Sequence, residues 1–272
     1  MRANETKILE TPWLDQHEKW PTGCESVTAS LALGWLGFPV DPDFFIDNCL
    51  PRAPYPRTED GVLRAADPED FYLGDPRTED GWGCFAPAIR RGLERFADLT
   101  GEDLFVRELH GVPLDTLFRE EIDRGLPVIL FATMGMAAPR DSRTWICDGS
   151  GRPYTWKTPM HCLLLIGYDR GSDEAVFSDP LAAARTRYPI RDVERAYRGM
   201  GSEAVVVERR PRKRSIDCKF SGSGLFPPRG MWYNIKIISS RQKDCGGEIG
   251  GFLESETRAE RGHLPRTLLF PF

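Results

Sequence analysis

Cys24 follows Pro21-Thr22-Gly23 and opens a segment, 23–37, in which Val27, Leu31 and Trp35 recur at helical spacing. A thiol in the first turn of a helix meets unpaired backbone N–H groups and the positive end of the helix dipole, and both favour an anion. The thiolate is the nucleophilic form of cysteine, so the placement predicts a lowered pKa and an attacking sulfur. Such a nucleophile needs a base. Of the four histidines, at 17, 110, 161 and 263, only His161 begins a buried-looking strand, 161–168 (HCLLLIGY), where an imidazole is held rigidly beside the core. Asp179 ends the next strand, 175–178. With the intervening turn centred near 170 or 171, antiparallel pairing brings positions 179–181 opposite 161. The carboxylate can then fix the imidazole tautomer and stabilise its protonated form. Gln16, eight residues before Cys24, adds a side-chain amide that can hold the oxyanion of a tetrahedral intermediate together with the Cys24 backbone N–H. Singly, each of these is an ordinary structural feature: a cysteine at a helix start, a histidine at a strand end, an Asp-Pro turn, a polar Gln. Their order and the elements that carry them join them into one constellation.

For that constellation to assemble, a helix bearing Cys24 must dock on a sheet bearing His161 and Asp179. The sequence predicts helices over 23–37, 86–99 and 114–123, the second with Pro87 in its first turn and Gly101 just past its end. The continuous apolar run 126–133 (LPVILFAT) predicts a buried strand. Segments 143–147 and 153–157 flank Asp148-Gly149-Ser150-Gly151, a hairpin signal. Strands over 161–168, 175–178 and 204–207 follow, with a short helix near 191–198. Helices first and a mostly antiparallel sheet after them read as an α+β fold. The stretch 38–85 is dense in Pro, Asp and Gly and contains Pro-Arg-Thr-Glu-Asp-Gly twice, at 56–61 and 76–81. It is expected to be irregular, as a lid or binding loop.

Composition sets the outer bounds. With 272 residues, 40% hydrophobic and 28% charged, the chain can bury a core and is neither fibrous nor wholly disordered. It has no run of about 20 apolar residues and so no expected transmembrane segment. Its net charge of −5 argues against general nucleic-acid binding, which needs a basic face. The charge is not evenly spread: residues 1–208 carry −12 and residues 209–272 carry +7, the break opening with Arg209-Arg210-Pro211-Arg212-Lys213-Arg214. We therefore expect a catalytic domain over 1–208 and a basic, Gly/Ser-containing appendage over 209–272 that is not an independent domain. The first residues show no export signal, so a cytoplasmic location is expected for the chain as printed, with export open if the natural start lies upstream. Seven cysteines without a CxxC pair indicate neither a zinc cage nor a disulfide scaffold, and no metal or organic cofactor is expected. Oligomeric state is not encoded in any of these features.

Asp15-Gln16, then Pro21-Thr22-Gly23-Cys24-Glu25-Ser26, then Gly81-Trp82-Gly83-Cys84-Phe85-Ala86-Pro87-Ala88-Ile89, then Met160-His161 through Tyr168-Asp169, then Ser178-Asp179-Pro180-Leu181 resemble the peptidase C39-like family of the papain-like cysteine peptidases, a typically bacterial group. The resemblance spans about 8–208 and keeps the motif order. The 137 positions between Cys24 and His161 also fall within the window of about 130–150 that separates nucleophile and base in papain and its relatives. The resemblance implies a papain-like fold, with Cys24 as nucleophile, His161 as base, Asp179 as third member and Gln16 as oxyanion-hole amide. It implies a peptide or amide substrate and a thioester acyl-enzyme. It also implies that the irregular 38–85 region ends at a helix near the cleft. Members that process leader peptides are fused to a transporter, and with no membrane segment here that specificity does not carry over. Two other readings remain open: amide transfer by the same triad, with an amine in place of water, and a non-catalytic peptide-binding module on the same fold. Trp20, Trp82, Trp145 and Trp156 are candidates for cleft or core, and Glu59-Asp60 and Glu79-Asp80 read as solvated turns.

Overall fold

The computed structural model describes residues 5–210. In chain order its elements are β1 (Thr6–Ile8), α1 (Cys24–Trp35), α2 (Pro42–Asn48), β2 (Arg52–Ala53), β3 (Arg57–Glu59), β4 (Val62–Ala65), β5 (Tyr72–Leu73), α3 (Ala86–Thr100) and β6 (Leu104–His110). There follow α4 (Leu114–Leu117), β7 (Val128–Thr133), β8 (Arg140–Cys147), β9 (Pro153–Thr158), β10 (Met160–Asp169), β11 (Glu174–Ser178), β12 (Thr186–Pro189), α5 (Ile190–Gly199) and β13 (Glu203–Arg209). The fold is α+β, with helices packed on a mostly antiparallel sheet. Seven strands form that sheet in the order β12-β11-β10-β7-β13-β6, with β1 added beside β10, and every pairing in it is antiparallel. Among the described residues no helix is long and apolar enough to cross a membrane. Residues 211–272, and with them most of the expected basic appendage, lie outside the described residues, as do Cys218 and Cys245.

The strands at the centre of the sheet are those whose apolar runs are continuous. β7 is buried along its whole length, and β10 is buried from Met160 to Tyr168. Such strands cannot leave one face wet, and both faces are covered: α1 and α3 pack on one side, α5 and α4 on the other. α1 is the more extreme case. The sequence predicts one apolar stripe, yet every residue from Cys24 to Leu33 is buried, including Glu25, Ser26, Thr28 and Ser30. Small residues make this possible, because Ser26, Ala29, Ser30 and Ala32 let β10, β7, α2 and α3 approach the helix from several directions. Helix ends follow sequence chemistry. Gly37 and Gly101 adopt left-handed φ of 90° and 69° just beyond α1 and α3, and Pro87 sits in the first turn of α3.

Two expectations are corrected. The helix expected over 114–123 is α-helical only through Leu117 and continues as a π-helical turn, Phe118–Ile122. That widening keeps Phe118 against the Tyr168 ring, with centroids 4.9 Å apart, while Glu121 meets Arg107 Nη1 at 2.8 Å. The stretch 38–85 is not a lid. It contains α2, whose N-cap Asp41 accepts from Asp43 N, and four short strands, and it buries Phe45, Ile46, Tyr72 and Leu73 completely. Polar ties replace hydrophobic periodicity there, such as Arg77 Nε to Asp43 at 2.8 Å and Trp20 Nε1 to the same carboxylate at 2.9 Å. The repeated hexapeptide has two conformations. At 56–61 it forms β3 and the turn into β4, and at 76–81 it forms consecutive turns. The predicted hairpin is present as β8 and β9, and it joins β4 and β3 in a separate four-stranded sheet.

β1 reaches the sheet through a close approach at Gly167, where a Cβ would stand 2.3 Å from the Lys7 carbonyl oxygen and 2.8 Å from Ile8 Cα. The same glycine marks a bulge in the β10–β11 register. Gly167→Ala is expected to expel β1 and destabilise the protein by about 1–3 kcal/mol in urea unfolding, the range of an overpacked core site.

Candidate active site

β10 runs past the end of β11. Pairing between them begins at Leu164 opposite Ser178, so among the described residues the stretch of β10 before Leu164 has no strand partner on that side. α1 takes that open edge: Thr28 Oγ1 donates to the Cys162 carbonyl at 3.1 Å, and the Cys162 N–H reaches Cys24 Sγ at 3.4 Å. Asp179 turns back from the end of β11 toward His161, whose Nε2 lies 2.8 Å from Asp179 Oδ1, with both side chains almost fully buried. Three of the four expected residues thus converge on one stretch of β10.

The fourth arrives on the segment that precedes α1. Trp13 Nε1 donates to Asp179 O at 2.7 Å, Gln16 N donates to Pro180 O at 3.1 Å, and Trp20 N donates back to Gln16 O at 2.9 Å. Gln16 and Cys24 both line a cleft of about 180 Å³, together with Trp82, Trp156, Met160 and Leu181. The amide nitrogen of Gln16 donates to the carbonyls of Trp20 and Pro21, at 3.3 and 3.2 Å. Its donors therefore serve its own loop in this structure. Gly23 is required by the tightness of that loop, since a Cβ there would stand 2.8 Å from Trp20 Cβ. Of the four candidate tryptophans, Trp82 and Trp156 line the cleft; Trp145 is buried against both of them, and Trp20 is buried with its Nε1 on Asp43.

The electrostatics of the thiol differ from the expectation. Burial pushes the Cys24 pKa well up, and the neighbouring Glu25 carboxylate pushes it further, outweighing the Cys162 N–H that favours the thiolate. The expected lowering by the helix N-terminus is therefore corrected. The Cys24 thiol donates to Glu25 Oε2 at 3.3 Å, while Nδ1 of His161 is buried without a hydrogen-bond partner among the described residues. Asp179 behaves differently. Burial alone would raise its pKa, but hydrogen bonds from His161, the Leu181 N–H and Tyr188 OH hold it below the usual carboxylate value.

Glu25 and Tyr188 are site residues that the sequence reasoning missed. An acidic residue in the first turn of a helix reads as ordinary compensation of the dipole. The signal available was that all faces of 24–33 are apolar or small apart from this one charge. Tyr188 gave no signal, because β12 has no clear alternation. Its hydroxyl lies 3.0 Å from Asp179 Oδ2.

Residues 8–205 match the model of the Peptidase_C39 like family. Over 188 residues the chain is 24% identical to the uncharacterized protein YvpB of Bacillus subtilis strain 168, covering 69% of this chain and 69% of that one. It shares its fold with a crystal structure described as that of a C39-like peptidase from Bacillus anthracis, at a TM-score of 0.64 and 23% identity, covering 76% of this chain and 100% of that one.

Burial raises the Glu25 pKa to about 7, against 4.5 for a free glutamate. The folded state therefore binds the proton more tightly than the unfolded state. This group's penalty is absent below about pH 4.5, grows as pH rises to about 7 and is constant above it. Relative to Glu25→Gln, the wild-type protein should lose about 3 kcal/mol of unfolding free energy between pH 4.5 and 7.5. Urea titrations of both proteins across that range measure the difference.

Proposed function

The chain belongs to the Peptidase_C39 like family, and from that premise we propose that it is a cysteine peptidase or amide hydrolase acting through Cys24, His161 and Asp179. The observation that carries the proposal is the buried His161–Asp179 pair, held on the same strand whose Cys162 N–H touches Cys24 Sγ. For the reaction, the thiol turns from Glu25 toward Nδ1 of His161, the ring atom without a partner, and gives up its proton there. The thiolate attacks the carbonyl carbon of the scissile amide. Charge developing on the carbonyl oxygen is met by the Cys24 N–H and by the Gln16 amide, which must first release a loop carbonyl. His161 protonates the leaving amine, and the thioester is then opened by water that His161 deprotonates. Asp179 keeps the proton of the ring on Nε2 and stabilises the imidazolium, and Tyr188 holds the second carboxylate oxygen.

Among the described residues the cleft wall carries no charged side chain, and Trp82, Met134, Trp156 and Met160 give it an apolar and aromatic surface. A peptide with an uncharged apolar side chain beside the scissile bond fits that wall better than a basic one. A second reading, a non-catalytic peptide-binding module, is favoured by one observation: the thiol faces Glu25 and not the imidazole.

Turnover separates the two. Incubation with a peptide library, read by mass spectrometry, should give cleavage that Cys24→Ala and His161→Ala reduce by about 10³-fold or more. Asp179→Asn should lose activity through kcat with the fold retained. Absence of any cleavage by folded protein, with peptides still bound, would favour the binding module.

A further inference from the structure

Glu25 is fully buried one residue after the nucleophile, and among the described residues no Lys, Arg or His forms an ion pair with it. Its oxygens have two side-chain or loop donors: the Cys84 N–H reaches Oε1 at 2.8 Å, and the Cys24 thiol reaches Oε2 at 3.3 Å. Space for the carboxyl group is built in. Gly83 has a left-handed φ of 127°, and a Cβ there would stand 2.6 Å from Glu25 Oε1 and 2.4 Å from Met160 Cε. The titratable groups that face it are Cys24 on its own helix, Tyr72 from β5, Cys84 from the turn before α3 and Cys162 from β10. All four are neutral when protonated, so none offsets its charge. A thiol is a weak donor, and the Cys84 N–H with the residue's own backbone N–H is little solvation for a buried anion.

We infer that Glu25 is a further proton-carrying member of this site, its carboxyl group and the Cys24 thiol competing so that the attacking thiolate forms only while Glu25 is protonated. The inference rests on the reading of Cys24 as nucleophile and His161 as base. With Glu25 neutral, the thiol proton moves to Nδ1 of His161, and the carboxyl proton stays where it is. The result is a thiolate–imidazolium pair beside a neutral acid. When Glu25 loses its proton to solvent, the carboxylate accepts the thiol S–H, and its negative charge next to sulfur opposes a second anion there. The site then holds a protonated thiol turned away from the imidazole, which is the arrangement in this structure. The attacking form is therefore lost as pH rises through the titration of Glu25, which burial has moved to about 7.

Site-resolved alkylation by iodoacetamide, followed by mass spectrometry of the Cys24 peptide between pH 5.5 and 9, tests this on the full chain. In the wild type the Cys24 rate should decline between about pH 6.5 and 8. In Glu25→Gln, whose amide can still accept from Cys84 N–H and donate toward sulfur, the decline should vanish and the rate at pH 8 should be at least ~10-fold higher. Superimposable profiles of the two proteins overturn the inference. A wild-type rate that climbs steadily from pH 6 to 8 overturns it as well, and that readout stands even if Glu25→Gln does not fold. His161→Ala distinguishes the two levels. If it leaves Cys24 alkylation unchanged, the nucleophile–base reading fails; if it slows alkylation while Glu25→Gln matches the wild type, only the role of Glu25 fails.

Discussion

Both backbone polar groups of Cys162 are answered by α1, the N–H by Cys24 Sγ and the carbonyl by Thr28 Oγ1 one turn later. A strand edge buried without hydrogen-bond partners is costly, and β10 has such an edge where β11 stops short. Docking the first turn of a helix there meets the requirement, and it also dictates where Cys24 lies relative to His161, the residue before Cys162. The full burial of α1 follows. A helix whose N-terminus is pinned to the middle of the sheet has no route to the surface for ten residues, so its sequence must be small or apolar almost throughout. Burial of that helix places Glu25 in the interior, and the shortened β11 lets Asp179 fold back onto His161.

Two buried carboxylates near one thiol have their pKa values moved in opposite directions, and the difference follows their donors. Asp179 receives His161 Nε2–H, the Leu181 N–H and the Tyr188 hydroxyl, and these outweigh its loss of water. Glu25 receives the Cys84 N–H, its own backbone N–H and a weakly donating thiol, with no charged partner among the described residues, and burial outweighs them. The site thus separates its two acids by environment alone, one kept as an anion beneath the imidazole and one able to carry a proton near neutrality beside the sulfur.

Much of this was legible in sequence where burial is two-sided. β7 and β10 announce themselves as continuous apolar runs, and the start of α3 is fixed by Pro87. What was not legible depends on partners distant in the chain. β6 (LFVRELH) is an edge strand whose Arg107 and Glu108 pair with Glu121 and Arg90, so its alternation is masked by charge. The 38–85 region folds through single polar ties and two-residue strands, too short for any period to emerge. The grouping of Cys24, His161 and Asp179 followed from element order and turn position. The state of the thiol did not, because burial and a neighbouring carboxylate raise a thiol pKa against the pull of a helix N-terminus, and Cys24 is buried beside Glu25.

The Gly81-Trp82-Gly83-Cys84 turn shows how tightly wall and proton chemistry are joined. A Cβ at Gly81 would stand 2.2 Å from Thr22 Oγ1 and 2.6 Å from the Tyr72 hydroxyl, the groups that anchor the loop leading into Cys24. A Cβ at Gly83 would strike the Glu25 carboxyl group, and the N–H of Cys84 is that group's backbone donor. Between the two glycines, Trp82 faces the cleft and rests edge-on against Trp156, with ring centroids 5.8 Å apart. One turn therefore presents the aromatic wall to the cleft on one side and seats the carboxyl group that accepts the thiol hydrogen bond on the other.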